Sequence, residues 1–100
     1  MNITQYQITS KIQTFPGMGA WYFAVIPKKD TQQISELFHD LKRGFGSLRV
    51  LARIGQTTWR TSIFLNTKTK TYFLPIKAQV RKKEGIEKNK VTLVQFEIMQ

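Results

Sequence analysis

Polar and apolar residues alternate most cleanly between Leu48 and Leu65. Leu48, Val50, Ala52 and Ile54 take every second place, with Arg49, Leu51 and Arg53 between them; Trp59, Thr61, Ile63 and Leu65 then alternate with Thr58, Arg60 and Ser62. A period of two places such residues on one face of a pleated strand, so two half-buried strands are expected. Gly55-Gln56 lies between them, and glycine at the first of two loop residues adopts the positive φ that a twist-matched hairpin turn requires. The implied register sets Ile54 against Thr57, Ala52 against Trp59 and Val50 against Thr61. On the other face Leu51 opposes Arg60, with Arg49 and Arg53 on the diagonals. Three guanidinium groups then share one sheet surface with no acid near them in sequence. That surface is either a solvated outer face or an anion-binding one.

A second hairpin is expected through Asn66-Thr67-Lys68-Thr69-Lys70 into Thr71-Tyr72-Phe73-Leu74-Pro75-Ile76. Pro75 has no N–H for a ladder, so the strand is expected to end there or to run along an edge. Upstream, Tyr6, Ile8, Ser10 and Ile12 alternate with polar residues, which gives a first strand with one wet face. Phe15-Pro16-Gly17-Met18-Gly19 reads as a loop, and Ala20 to Ile26 as a strand apolar on both faces. The last strand runs from Val91 to Ile98, with Val94, Phe96 and Ile98 on one side.

One helix is expected, after Pro27-Lys28-Lys29. Asp30 and Gln33 form a capping-box pattern, and Ile34, Leu37, Phe38 and Leu41 fall at i, i+3, i+4 and i+7 to make one apolar stripe. Lys42, Arg43 and Gly44 suit its C-terminal end. The run Lys77 to Lys83 is read only as four basic residues around Val80, followed by a turn from Glu84 to Lys90. The fold expected is mainly β: a single small β-barrel of about six strands with one α-helix, formed by residues 1–100 as one domain.

Composition narrows the function classes. The chain is 41% hydrophobic and 12% aromatic, which is globular. It has no Cys, which removes disulfides, thiolate catalysis and cysteine zinc sites together. Sixteen Lys and Arg against six Asp and Glu give a net charge of +10 and a pI near 10.2, a balance that attracts polyanions. The charge is spread from Lys11 to Lys90 rather than gathered in a terminal arm. No apolar run is long enough to cross a bilayer and the N-terminus has no signal pattern, so a cytoplasmic protein without membrane contact is expected.

The chemistry of the common enzyme classes finds no constellation. Ser62 has no histidine base within reach by sequence logic, no carboxylate pair is evident, and Pro16-Gly17-Met18-Gly19 does not join a strand to a helix as phosphate-binding loops do. The one histidine, His39, lies off the apolar stripe with no second ligand, so neither a metal nor a cofactor is expected. An enzyme reading requires Lys77, Arg81 and Tyr72 around an anionic substrate. Trp21, Trp59 and Tyr72 sit in strands beside aliphatic residues and are expected in the core rather than as stacking platforms for bases.

Several scattered segments stand out together: Trp21, Phe23 and Pro27; Gly55, Trp59, Thr61 and Ser62; Tyr72-Phe73-Leu74-Pro75 with Lys77; and Val80-Arg81-Lys82 before Gly85-Ile86. With these the chain resembles DUF1905, a family of small bacterial domains of unknown function. Lys88-Asn89 stands where the family usually has a Gly-Asp turn. The resemblance implies a compact β-barrel-like domain and suggests that Arg81 is anchored near the barrel end, either bonded to loop carbonyls or presenting its fork to a carboxylate or phosphate.

The reading that results is a non-catalytic module for an unidentified anionic ligand or protein partner, monomeric or homodimeric. Its candidate site residues are Lys77, Arg81, Lys82, Arg49, Arg53 and Arg60. A nucleic-acid-binding β-barrel is the alternative, with only weak, sequence-indifferent binding of duplex DNA expected.

Overall fold

The computed structural model describes residues 4–15, 21–41 and 46–99. Among these residues seven strands, β1 (Gln5–Lys11), β2 (Gln13–Thr14), β3 (Tyr22–Val25), β4 (Leu48–Ile54), β5 (Thr57–Asn66), β6 (Thr71–Ile76) and β7 (Val91–Ile98), form one sheet in the order β1-β7-β4-β5-β6-β3-β2. The sheet curls because its two ends belong to one stretch of chain. β1 pairs with β7; after Ile12 the same stretch continues as β2 and pairs with β3. Ser10 Oγ accepts a bond from Val25 N–H at 3.0 Å, tying the two ends together at the bend. The result is a half-barrel whose open side is bridged by the N-terminal strand, in agreement with the mainly β barrel-like fold expected.

The alternation read from sequence sets the register. Ile54 pairs with Thr57, Ala52 with Trp59, Val50 with Thr61 and Leu51 with Arg60. Gly55 has φ +59, as a turn of this type demands. One row across the concave face runs Tyr6, Phe96, Ala52, Trp59. Ala52 is the small member between two large rings, and all four side chains are buried. Tyr6 and Phe96 stack with centroids 5.3 Å apart.

Two helices cover the concave side, α1 (Lys28–Leu37) and α2 (Ala78–Glu84), with a 3-10 turn at His39–Leu41. α1 begins two residues before the expected cap. Pro27 holds the N-cap position, no side chain caps the helix, and Asp30 lies inside the first turn, where its charge suits the dipole. Ile34 and Phe38 of the expected stripe are buried, with Thr31 beside them, whereas Leu37 is 53% exposed; the side chain of Leu41 lies outside what is described. Thr31 explains the rotation. Its hydroxyl donates to Ile26 O (3.3 Å) and accepts from Tyr72 N–H (3.1 Å), so a polar residue docks the helix between the ends of β3 and β6. Ile34→Val is expected to cost about 1 kcal/mol through the missing methylene. Leu37→Ala, at an exposed position, is expected to stay within roughly 0.5 kcal/mol. Equal effects in urea melts would put the helix the other way round.

The helix α2 is a correction to the one-helix reading. Ala78, Gln79, Arg81, Lys82, Lys83 and Glu84 are good helix formers, and Gly85 closes the helix in the left-handed conformation at φ +63. Only Val80 is buried along it, so no apolar period marks it. Pro75 is a second correction. β6 runs on to Ile76 and pairs there with β3, and Pro75 lies beyond the short ladder that joins β6 to β5 at residues 71–73 and 64–66. The strand is interior, and the proline ends its pairing on one side only. The Pro16–Gly19 loop and Lys42, Arg43 and Gly44 lie outside the described residues.

Candidate functional site

The pleat puts Arg49, Leu51 and Arg53 of β4 and Thr58, Arg60 and Ser62 of β5 on the outer face, and all three arginines are exposed there. The expected grouping therefore forms. Pairing of β4 with β7 adds what the sequence did not disclose: Glu97 stands directly across from Leu51 and Gln95 across from Arg53 on that same face. The face dips into a depression of about 540 Å³, walled by Gln7, Leu51, Arg53, Thr58, Gln95 and Glu97. Gln95 donates its side-chain amide to Gln7 (3.1 Å), and Arg53 Nε is held by Gly55 O at 2.9 Å. The site is open and two-signed, with arginine forks on the β4–β5 side and a carboxylate toward β7. Such a surface can hold an anion by charge-assisted hydrogen bonds. Among the described residues no cluster of His, Cys, Asp or Glu has the makings of a metal site.

Lys77, Arg81 and Lys82 do not join this face. Lys77 holds the N-cap position of α2 and is exposed, as is Lys82. Arg81 donates from Nε to Ile76 O at 3.2 Å, and its guanidinium lies 3.9 Å from the centre of the Tyr22 ring. Tyr22 shares its face of β3 with Ala24 and packs against the core, so Arg81 sits at the rim of the concave side, opposite the outer arginines. The carbonyl-anchoring arrangement is the one observed, with a cation–π contact added. Tyr72 and Trp59 are core residues, as expected; Trp21 is a correction, since it precedes β3 rather than lying within it and is 43% exposed.

Sequence reasoning missed two groups. Glu84 accepts a 2.6 Å hydrogen bond from Thr57 Oγ1 and covers the β4–β5 turn. Five rings, Phe15, Trp21, Phe23, Phe64 and Phe73, pack on one another outside the main core. Phe23, Phe64 and Phe73 fall out of phase with the inward residues of their strands, and that phase was the available signal. The hydroxyls of Tyr6 and Tyr72 are buried with no hydrogen-bond partner among the described residues, and burial pushes both phenols above their usual range, with the charge of Asp30 adding to the effect at Tyr6.

A curled, mainly β sheet with two short helices on its concave side and an arginine-bearing outer face defines a small barrel-like module. The chain belongs to the family described as a domain of unknown function, DUF1905, whose model matches residues 9–96. No curated protein matches it. The match takes in all or part of every strand, and Lys88-Asn89 makes its own turn: Asn89 takes φ +70 and donates its N–H to Ile12 O at 2.8 Å, at the bend of the first strand.

Proposed function

We propose that this protein is a non-catalytic binding module whose outer face takes an anionic ligand, with Arg49, Arg53 and Arg60 as the binding groups. The observation that carries the reading is their convergence around Leu51 beside the depression. Arginine forks on a rigid sheet are preorganised for phosphate or carboxylate, so little side-chain entropy is lost per bond formed. Lys77 and Lys82 contribute long-range attraction, and Arg81 holds α2 to the sheet. The proposal keeps the cytoplasmic setting expected from sequence; no described helix is long and apolar enough to cross a membrane.

Titration calorimetry with sodium tripolyphosphate at about 0.15 M salt, where longer-range surface charges are largely screened, tests the site. Changing Arg49, Arg53 and Arg60 together to serine is expected to weaken binding by roughly tenfold or more, since each lost charge-assisted bond is worth about 1.5–3 kcal/mol in a protected setting and less at a surface. Glu97→Gln is expected to strengthen it, and Lys82→Ala to leave it near the parent value. Binding that survives the triple change overturns the reading.

A further inference from the structure

We infer that the anionic ligand of this face is single-stranded nucleic acid, its bases stacked on the outer aromatic cluster and its phosphates held by Arg49 and Arg60. The inference rests on the anion-binding reading above and names the ligand's class. It begins with the faces of the strands. Pairing Arg49 with Ser62 and Leu51 with Arg60 puts these residues on the outer face, and along β5 the same face continues through Ser62 to Phe64. Phe64 pairs with Phe73, Phe73 with Val25, and Phe23 with Pro75, so the outer face passes without a break from arginines to rings.

The rings form a chain across the sheet. Phe64 and Phe73 stack at 5.7 Å, Phe73 meets Phe23 at 5.6 Å, Phe23 stacks on Phe15 at 4.3 Å, and Phe15 meets Trp21 at 6.4 Å. From β5 to β2 is three strand spacings, roughly 14 Å, enough for two or three bases laid across a sheet. Arg60 and Phe64, four residues apart on one strand, are roughly 13 Å apart, within reach of a phosphate next to a stacked base. The platform is partly open: Phe23 is buried, Phe15, Phe64 and Phe73 are half-buried, and Trp21 is the most exposed ring of the cluster.

Charge selects the occupant. Residues 41–83, which contain β4, β5, β6 and most of α2, carry eleven Lys and Arg and no Asp or Glu; residues 1–29 likewise contain no acid. Lys68, four residues after Phe64, and Lys70, three before Phe73, lie in the turn that joins β5 to β6. Even with Glu97 on it the face is net basic, so a second copy of it is repelled, and an apolar partner leaves the arginines unmatched. A duplex keeps its base faces stacked inside and offers rings nothing to stack on, whereas a single strand offers both π-faces and phosphates.

Fluorescence anisotropy at about 0.15 M salt tests this with three probes: a thymidine strand of about twelve nucleotides, a duplex of the same length, and heparin oligosaccharide as a polyanion without bases. The expected result is single-strand affinity at least roughly tenfold above the other two, with tryptophan emission quenched on saturation. Trp21→Ala is expected to weaken the single strand about fivefold or more and to remove the quenching, while leaving tripolyphosphate binding unchanged. Phe64→Leu, which keeps apolar bulk at the site, is expected to weaken the single strand in the same sense. Single-strand binding no tighter than heparin or duplex, or indifferent to both ring changes, overturns the inference and leaves the arginine site standing if tripolyphosphate still binds there. Loss of every probe overturns both.

Discussion

Trp59→Ala is expected to destabilise the fold by roughly 3–5 kcal/mol, the usual cost of deleting a large buried aromatic. Trp59 is 6% exposed, faces inward on β5 and lies across from Ala52, which is itself fully buried. Ala52 leaves room for the indole over β4, and Phe96 of β7 fills the far side of the same row. Truncating the indole therefore opens a hole that a small neighbour cannot fill. For a chain of this size the loss corresponds to a melting point lowered by roughly 12 °C or more. Trp21→Ala is the matched control, since an exposed ring on the outer face is expected to cost far less. A melt in which Trp59→Ala loses under about 1 kcal/mol places that indole on the surface and reverses the facing of the hairpin, with the arginines turned inward.

The same hairpin shows what a sequence discloses. A strand with one wet face writes its facing into every second residue, so the β4–β5 register and the grouping of Arg49, Arg53 and Arg60 were legible before any coordinates. Glu97 was not, because the pairing of β4 with β7 joins residues about 46 positions apart and no local pattern encodes it. Helix α1 was legible in place but not in rotation. A stripe of Ile34, Leu37, Phe38 and Leu41 assumes that apolar residues decide the docked face, whereas the Thr31 hydroxyl bridges Ile26 O and Tyr72 N–H and turns Leu37 outward. Helix α2 hid for the opposite reason: a seven-residue helix with one buried side chain has no period to read, only propensity and a terminal glycine. Arg81 was singled out on resemblance, and its contacts with Ile76 O and Tyr22 give it an anchoring place, apart from the outer arginines it was grouped with.

Gly55→Val is expected to cost roughly 2–5 kcal/mol, but only about 1–3 kcal/mol more in a chain that already lacks Glu84. Two separate penalties meet at this residue. Its φ of +59 is a conformation that a β-branched side chain adopts only at a cost of about 1–3 kcal/mol. In addition, a Cβ at Gly55 overlaps the Glu84 carboxylate, which accepts the 2.6 Å bond from Thr57 Oγ1. The carboxylate must swing away and lose a charge-assisted bond, a further roughly 1–2 kcal/mol at this half-buried site. Glu84→Ala alone forfeits the bond but frees the space. In the double variant only the backbone penalty is new, so the two changes are expected to cost about 1–2 kcal/mol less together than their sum. Urea unfolding of the four proteins in this cycle measures the coupling, and additivity within about 0.5 kcal/mol would show that Glu84 does not seal the turn. The turn also reaches the candidate site. Arg53 Nε is bonded to Gly55 O at 2.9 Å, so a turn distorted by valine releases the arginine that lines the outer depression. Gly55→Val is therefore expected to weaken tripolyphosphate binding as well as stability, and Glu84→Ala in the same chain to add little further loss of stability.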